Sequence, residues 1–522
     1  ARALAIPRES PFRLQAGVIH TLREAAREGH TFLPLVELCR QAGELLGAEA
    51  EPIEEQLVAL TRQGETTVLS GPCPEELGPA VYPALLARAE AETAGQVKQI
   101  LATLPDRTPP AALAEAMRRE GEGSGLCLAE EQRRALELAL TAPLSVVTGG
   151  PGVGKTSLVR VLAGGLRRGG ARVLLAAPTG RAARRLAEVT GLEAATIHRT
   201  LKYNPHRGSF EQDRRNPLAA DLVVVDETSM VDIQLAASLF KAIGGQTRLV
   251  MVGDADQLPS VGPGNVLRDL VATGRVPLTR LTRIFRRRGR SLITANAHRL
   301  LAGLPPELGN DREGDFFFLE EEEPGRVREL IVGLVAERLP RAFGLDPVDQ
   351  IQVLAPMYRG EAGADRLNEE LQARLVPPGP ELRRGPYRFR RGDKVLQIRN
   401  DYDRELFNGD VGRVLEVDPG EKGMAIDFEG RRVACGKAEL DQVIPAFAMS
   451  VHRSQGSEFP AVVIPLVTQH YMMLRRNLLY TALTRAKRLV VLVGSRRALE
   501  LAVARDDTGT RWSGLQWRIG SG

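Results

Sequence analysis

The sequence predicts an α/β fold with two parallel-sheet domains, a small inserted β barrel and a mainly helical N-terminal region. From residue 126 onward, short apolar runs alternate with helical stretches, which is typical of βα units. The segment 270–323 divides these runs into two groups, and this spacing indicates two α/β domains rather than one. Short alternating strands separated by turn signals interrupt the second group between residues 387 and 443, and they indicate an antiparallel barrel.

Length and composition are those of an ordinary globular protein. The chain has 522 residues, 43% of them hydrophobic, which corresponds to roughly three or four domains. The 70 Lys and Arg exceed the 65 Asp and Glu by five, and a mild positive charge permits nucleic-acid binding without demonstrating it. No apolar stretch is long enough to cross a membrane, so no membrane partner is expected. Four widely spaced cysteines argue against a C-x-x-C metal pair or a disulfide framework: Cys39, Cys73, Cys127 and Cys435.

Residues 1–125 show helical periodicity that proline and glycine interrupt. Helices are expected near residues 17–27, 35–46, 53–60 and 85–104, with a short strand at 66–69. The region contains no catalytic constellation. A helical module of this kind is more often a scaffold or docking platform than a nucleic-acid contact, and both interpretations stay open.

The first α/β region opens with a phosphate-binding loop. Directly after the apolar run 144–148, the sequence Gly149-Gly150-Pro151-Gly152-Val153-Gly154-Lys155-Thr156 has the spacing G-x-x-x-x-G-K-T. Glycines let the backbone curl, so that its N–H groups and the next helix N-terminus point at phosphate oxygens. Lys155 would reach the β and γ phosphates, and the Thr156 hydroxyl would bind Mg²⁺. The predicted nucleotide-binding residues of this loop are Gly150, Pro151, Gly152, Val153, Gly154, Lys155, Thr156 and Ser157.

Polar side chains follow the next two strands of this region. The apolar run 222–225 ends in Asp226 and Glu227, where an open α/β sheet carries its active site. Asp226 would hold Mg²⁺, and Glu227 would orient or deprotonate the attacking water. Gln257, at a further strand-to-loop junction, has an amide suited to sensing the γ-phosphate or that water. A solvated turn is the alternative for the acidic pair.

Two arginines of the second α/β region, Arg286 and Arg485, would bring guanidinium groups to the γ-phosphate. Arginines supplied across a cleft stabilise transition-state charge and make hydrolysis depend on domain closure. For Arg286, a solvated charge run is the alternative, because four more arginines lie within residues 283–290.

The order of these motifs resembles that of superfamily 1 DNA helicases, and within them the RecD family, especially its stand-alone members. The resemblance covers about residues 126–495. Besides the phosphate loop, the motifs that carry it are Ala177-Pro178-Thr179-Gly180-Arg181-Ala182-Ala183, Thr196-Ile197-His198-Arg199, Val225-Asp226-Glu227-Thr228-Ser229-Met230, Gly253-Asp254-Ala255-Asp256-Gln257-Leu258-Pro259-Ser260, Asn400-Asp401-Tyr402 with Phe407-Asn408-Gly409-Asp410, and Ser450-Val451-His452-Arg453-Ser454-Gln455-Gly456-Ser457-Glu458.

The resemblance implies two RecA-like P-loop motor domains, an inserted SH3-like barrel, ATP with Mg²⁺ as cofactors, and 5′-to-3′ movement on single-stranded DNA. On this basis we expect the helical domain at 1–125, the first motor domain at 126–275, the second at 276–385 and 446–522, and the barrel at 386–445. It also implies that Gln132 reads adenine, because an amide can pair with the N6 and N7 edge.

The same resemblance implies a DNA grip on each motor domain. Thr179 and the following helix N-terminus would form an anion site for one backbone phosphate. The full set of expected DNA-binding residues is Pro178, Thr179, Gly180, Arg181, His198, Arg199, Ser450, His452, Arg453 and Ser454. For the two histidines, a core or hydrogen-bonding role is the alternative. Arg453 stands where many relatives carry lysine; phosphate binding survives that exchange, while the geometry of the contact changes.

A hairpin is expected at about residues 200–217, where the family carries a strand-separating pin, and a plain surface loop is the alternative. The function that follows is ATP-driven translocation on single-stranded DNA and unwinding of duplex with a 5′ tail, in repair or recombination. Such a protein is expected to be a monomer at the nucleoid of a bacterial cytoplasm, with single-stranded-DNA-binding or repair proteins as partners.

Three other functions compete with this one. An RNA-translocating ATPase is the closer alternative, because residues that bind phosphates do not distinguish the sugars of RNA and DNA. The chain could also be the motor subunit of a multi-subunit nuclease–helicase, although no separate carboxylate cluster indicates an integral nuclease. A nucleotide-gated scaffold would not need Glu227, Gln257 and the arginines, so their presence favours hydrolysis.

Overall fold

The N-terminal region consists of four helices around a small antiparallel sheet, in a computed structural model that describes residues 7, 10–103, 128–283, 291–309, 314–401, 404–420, 423–506 and 511–521. Its helices α1–α4 are Pro11–Arg27, Leu35–Leu46, Ala50–Arg62 and Ala84–Thr103, and its strands β1–β3 are Leu33–Pro34, Thr66–Leu69 and Ala80–Pro83. The strand order is β1-β3-β2. Leu14, Leu38 and Ile53, one from each of the first three helices, share a core, which confirms the predicted helical character.

The first α/β domain is built on six parallel strands in the order β11-β4-β10-β9-β5-β6. The strands of this domain, β4–β11, are Leu144–Gly149, Val173–Ala177, Ala194–Thr196, Tyr203–Asn204, Ser209–Phe210, Leu222–Val225, Arg248–Gly253 and Leu278–Leu281. Its helices α5–α10 are Glu130–Thr141, Lys155–Arg168, Gly180–Thr190, Ile197–Thr200, Ile233–Lys241 and Val266–Ala272. The central strand β9 is buried along its whole length, as continuous apolar runs of parallel sheets are.

The strands β7 and β8 form an antiparallel hairpin that stands apart from this sheet. It falls inside the hairpin expected at about residues 200–217. Aromatic contacts hold it to the domain: the ring centroid of His198 is 5.7 Å from that of Tyr203 and 5.6 Å from that of Phe210.

The second α/β domain has five parallel strands in the order β12-β23-β22-β13-β21. These strands β12, β13, β21, β22 and β23 are Phe316–Glu320, Ile351–Ala355, Ala448–Ser450, Phe459–Leu466 and Ala486–Gly494. Helices α11–α16 are Leu292–Leu301, Pro324–Gly333, Leu339–Phe343, Ala364–Leu375, Arg476–Thr484 and Arg496–Ala504, and a π-helical turn at Leu334–Arg338 joins the second and third of these. Two separate parallel sheets confirm the predicted pair of α/β domains.

The inserted barrel leaves the second domain after α14 and returns to it at β21. A hairpin of β14 (Glu381–Arg384) and β15 (Tyr387–Arg390) precedes five antiparallel strands in the order β19-β18-β17-β16-β20. Strands β16–β20 are Lys394–Gln397, Val411–Asp418, Gly423–Phe428, Arg431–Cys435 and Val443–Pro445. Leu382 of the hairpin shares the barrel core with Phe389 and Phe428, so the barrel unit includes residues before the expected start at 386.

The barrel also contacts the first α/β domain. Arg184 on α7 bonds Asp410 at 2.8 Å and Glu429 at 2.5 Å, and Asp410 is almost completely buried. A Cβ atom at Gly180 would lie 2.1 Å from the ring of Phe407, so this close approach requires glycine. The barrel is therefore fastened to the helix that follows Thr179.

The C-terminal tail packs against α4 and the first α/β domain, although the sequence assigns residues 446–522 to the second α/β domain. Helix α17, Leu515–Gly520, lies against α4 and α10, with Leu515 and Ile519 fully buried in the core that α4 shares with the first sheet. The tail lies here rather than on the second domain because burial of these apolar side chains against the first domain removes them from water. Residues 505–506 still follow α16 of the second domain.

Polar contacts fix the tail in the same place. Glu90 of α4 is fully buried and accepts hydrogen bonds from Thr31 Oγ1 at 2.6 Å and from Gly514 N at 2.9 Å. Ser513 donates to the Asp269 carboxylate at 2.6 Å, which ties the tail to α10. The tail thus joins the N-terminal region and the first α/β domain into one packed unit.

Among the described residues, no helix has the length and apolar character needed to span a bilayer.

We expect Leu515→Ala to lower the free energy of unfolding of this unit by about 2–5 kcal/mol, because it opens a cavity in a shared core. Both tryptophans of the sequence, Trp512 and Trp517, lie in the tail, so tryptophan fluorescence during urea denaturation reports its release. Leu85→Ala on α4 is the control, since that side chain is 70% exposed. Equal unfolding midpoints for the two variants would contradict the packing role of the tail.

Candidate nucleotide and DNA sites

A cleft of about 340 Å³ lies between the two α/β domains. The phosphate loop, the end of β9 and the loop after β10 line one side of it, and residues of the second domain line the other. The predicted site residues that the cleft brings together are Gly150, Pro151, Gly152, Gly154, Lys155, Thr156, Ser157, Asp226, Glu227, Gln257 and Arg485. Side chains from both domains can therefore reach one bound molecule.

The phosphate loop has the backbone that its glycines predict. Gly152 and Gly154 have φ angles of 77° and 86°, a region that side chains other than glycine rarely adopt. Helix α6 begins at Lys155, so its free N–H groups point into the cleft. The Lys155 ammonium donates to the carbonyls of Gly149 and Gly150, the second at 2.9 Å. An anion in the loop would offer this ammonium a charged acceptor in their place.

The two adjacent carboxylates differ in environment. Asp226 is buried, and burial, with the negative charge of Glu227 nearby, raises its pKa to about 6. A buried carboxylate of this kind fits a bound cation, which would stabilise its charged form. Glu227 has a φ of 52°, and such strain in a residue other than glycine is typical of active sites.

Arginines reach the cleft from both domains. Arg485, almost fully buried, follows α15 and donates to the Thr481 and Ser457 carbonyls at 3.3 and 3.2 Å. Arg185 on α7 pairs with Glu458 of the second domain at 2.8 Å and also faces the charges of Glu227 and Asp226. This ion pair links the domains beside the two carboxylates.

The loop after β10 is held by the second domain. Gln257 Nε2 donates to Asp254 Oδ2 at 3.1 Å, and Tyr480 of α15 donates to the same oxygen at 2.7 Å. Leu258 N donates to Thr481 Oγ1 at 2.9 Å, and Gln455 Nε2 donates to Leu258 O at 2.8 Å. The backbone of this loop thus bridges the domains at the edge of the cleft.

Two predicted nucleotide-site residues, Val153 and Gln132, do not line the cleft. Arg286 falls outside the described residues. Val153 is buried in the first-domain core. Gln132 is also buried: its amide oxygen accepts from Ala129 N at 3.0 Å and its nitrogen donates to Val153 O at 3.4 Å. Adenine recognition by Gln132 stays a prediction that requires these bonds to be exchanged.

A second space, a groove of about 530 Å³, runs between the domains and beside the barrel. Five of the expected DNA-binding residues line it: Thr179, Arg181, Ser450, His452 and Arg453. Thr179 caps α7, its hydroxyl oxygen accepting from Ala182 N at 3.3 Å. Burial, with Arg511 and Arg475 nearby, lowers the pKa of His452, so this ring is neutral at pH 7.

Arg453 is the basic group best placed for an anion in the groove. Its guanidinium lies over the ring of Tyr358, 5.3 Å from the centroid. One of its terminal nitrogens is buried and has no hydrogen-bond partner among the described residues. Buried donors are normally paired, and a DNA phosphate in the groove would supply the acceptor.

The other expected DNA-binding residues do not line the groove. Gly180 is covered by Phe407, and buried Ser454 donates to the Val451 carbonyl at 2.7 Å. His198 packs against the β7–β8 hairpin, and Arg199 pairs with Glu405 of the barrel at 3.4 Å. Pro178 is likewise not among the lining residues. Direct contact of these five with DNA stays a prediction.

Sequence reasoning missed Arg185, Glu458 and Tyr358. Tyr358 follows β13, and the rule that strand ends carry sites could have found it. Glu458 lies in a motif quoted for the resemblance, but its partner on another domain is not visible in sequence. Arg185 belongs to a helix with arginines at 181 and 184, and a charge run is usually a solvated face.

Three family models match parts of the chain. The family model of the AAA domain matches residues 132–263, and that of the UvrD-like helicase C-terminal domain matches residues 445–493. The model of the ATP-dependent RecD-like DNA helicase SH3 domain matches residues 367–428, which confirms the SH3-like barrel and, like the hairpin, starts before residue 386.

Two relatives match over most of the chain. The ATP-dependent RecD2 DNA helicase of Deinococcus radiodurans is 35% identical over 515 residues, which cover 95% of this chain and 67% of the relative. The RecBCD enzyme subunit RecD of Mycolicibacterium smegmatis is 35% identical over 462 residues, 81% of this chain and 80% of the subunit. A crystal structure of the Pif1 helicase from Bacteroides with ADP-AlF3 and ssDNA covers 70% of this chain and 92% of that one, at 18% identity and a TM-score of 0.44. The extent and identity of the two sequence matches show that the chain belongs to the RecD family of ATP-dependent DNA helicases.

Proposed function

We propose that this helicase hydrolyses ATP in the interdomain cleft and uses the closing of that cleft to move 5′ to 3′ along single-stranded DNA held in the groove. The observation that carries the proposal is the bridge between the two spaces. Gln257 lines the cleft, Gln455 lines the groove, and the backbone around Leu258 connects them through hydrogen bonds. A change in the nucleotide bound in the cleft would therefore reach the groove through this short stretch of backbone.

In the cleft, the phosphate loop and Lys155 would bind the triphosphate. Thr156 and Asp226 would hold Mg²⁺ together with phosphate oxygens, and the bound cation would neutralise charge on those oxygens. Glu227 would orient the attacking water and accept its proton. Arg485 would stabilise the charge that develops on the transferred phosphoryl group, once nucleotide phosphate replaces its present carbonyl partners.

In the groove, Thr179 with the α7 N-terminus and Arg453 would hold backbone phosphates from opposite domains. Because each grip belongs to a different domain, opening and closing of the cleft changes the distance between them. A strand released by one grip while the other holds it would advance in steps. The β7–β8 hairpin, outside the groove, would then meet the duplex and separate its strands.

The stand-alone form is better supported than the subunit form, because the match to the RecD2 helicase reaches 95% of this chain and that to the RecD subunit 81%. We therefore propose a monomer that acts in repair or recombination, on nucleoid DNA in a bacterial cytoplasm, with single-stranded-DNA-binding proteins nearby. Size-exclusion chromatography with light scattering tests the monomer, and an affinity pull-down from the source cell tests the absence of fixed partner subunits.

Unwinding assays with three tails test polarity and sugar preference. We expect strand separation with a 5′ DNA tail, because the family resemblance implies 5′-to-3′ movement. Duplexes with a 3′ DNA tail and with a 5′ RNA tail of the same sequence are the comparisons, measured with ATP and Mg²⁺ by strand-displacement fluorescence. Unwinding from the 3′ tail alone would contradict the polarity, and ATPase stimulation by RNA alone would contradict the DNA substrate.

Lys155→Ala is expected to abolish ATP hydrolysis while leaving single-stranded DNA binding within about twofold, because its ammonium is a phosphate ligand and the DNA grips lie elsewhere. Phosphate release measures the first property and fluorescence anisotropy of a labelled oligonucleotide the second. Lys437→Ala, an exposed barrel residue, is the matched control. Normal turnover in Lys155→Ala would refute the assigned site.

Arg485→Ala is expected to keep nucleotide affinity within a few fold and to reduce kcat about 10³-fold or more, the effect of losing an arginine finger. Binding of a fluorescent ATP analogue and steady-state hydrolysis separate the two. Arg488→Ala, on β23 and exposed, controls for loss of positive charge. A large loss of ATP affinity with intact turnover would contradict the finger role.

A further inference from the structure

Tyr480 is a fully buried tyrosine whose hydroxyl crosses from the second domain into the first. The hydroxyl donates to Asp254 Oδ2 at 2.7 Å. A Cβ atom added at Gly150 of the phosphate loop would lie 3.0 Å from this oxygen, so the hydroxyl also rests against the nucleotide-binding loop. No step of the hydrolysis or DNA-gripping scheme above uses this side chain.

Asp254 connects this hydroxyl to Gln257. The carboxylate is fully buried, and its Oδ2 accepts from both Tyr480 Oη and Gln257 Nε2. Because a carboxylate accepts only, the nitrogen end of the Gln257 amide must face it. The oxygen end of the amide is then the one left to accept a hydrogen bond from a water molecule in the cleft. Asp254 therefore sets which end of Gln257 meets the nucleophile.

The position of Tyr480 makes this setting depend on domain closure. Tyr480 lies on α15, which ends at Thr484, and Arg485 caps it. Arg485 thus lies five residues after the tyrosine, at the C-terminal end of the same helix, and it lines the cleft. When the second domain moves away, the tyrosine hydroxyl leaves Asp254, and a buried carboxylate loses a donor that stabilises its charge.

We propose that Tyr480 is a positioning residue, which orients Gln257 through Asp254 only when the cleft is closed and so makes fast hydrolysis conditional on the arrangement that DNA stabilises. The inference rests on the proposed function, because it assigns the regulation of the same site. It separates two tasks within one helix: Arg485 stabilises charge on the phosphate, and Tyr480 prepares the group that orients water.

Tyr480→Phe tests the inference, because it removes one hydroxyl and keeps the ring. We expect DNA-stimulated kcat to fall about tenfold, the scale of one lost hydrogen bond to a charged group, while KM for ATP and the Kd for single-stranded DNA change less than about twofold. Hydrolysis without DNA should change less than hydrolysis with DNA. Tyr471→Phe, at an exposed tyrosine, is the matched control.

A double-mutant cycle with Gln257→Ala distinguishes positioning from a structural role. If Tyr480 acts through Gln257, Tyr480→Phe has no further effect on kcat in the Gln257→Ala background, whereas independent effects multiply. Equal DNA stimulation in the parent and in Tyr480→Phe, or full multiplication in the cycle, would overturn the inference alone. A parent chain whose hydrolysis DNA does not stimulate would overturn the proposed function, and this inference with it.

Discussion

The hydrogen-bonded contact of the loop 254–259 with the second α/β domain is the constraint on which both sites depend. Tyr480 bonds the Asp254 side chain, and Thr481 and Gln455 bond the Leu258 backbone, so one short loop connects the cleft and the groove. These polar groups are buried, so separating the domains would expose or unpair them together. Because these bonds form or break together, the two domains favour two discrete arrangements over a continuous range of positions. Stepwise movement requires such discrete arrangements.

Around this contact, further attachments restrict how the domains can move. Arg185 and Glu458 pair across the cleft, and Arg184 ties the barrel to the first domain through Asp410 and Glu429. The barrel is an insertion in the second domain, so this attachment gives the domains a second point of contact on α7. Groove residues Asn408 and Gly409 belong to the loop so held, and movement of the barrel therefore changes the groove.

The C-terminal tail gives the first domain a different kind of support. Arg511 donates to the carbonyls of Ser260 and Gly264 at 2.7 and 2.8 Å, directly after the loop that bridges the sites. Burial lowers the pKa of this guanidinium to about 10, which still leaves it charged at pH 7. The tail and α4 therefore stiffen the fixed side of the cleft, against which the second domain closes.

The sequence by itself determined the class of fold, the phosphate loop and the carboxylates after β9, because each depends on local spacing: apolar runs of strand length, glycines that permit positive φ, and polar residues where a strand ends. Pairings between distant segments, such as Arg185 with Glu458 or Tyr480 with Asp254, were decided only by the tertiary structure. So was the place of the tail, since apolar residues such as Leu515 fit any core of suitable shape, and packing alone selects which core buries them.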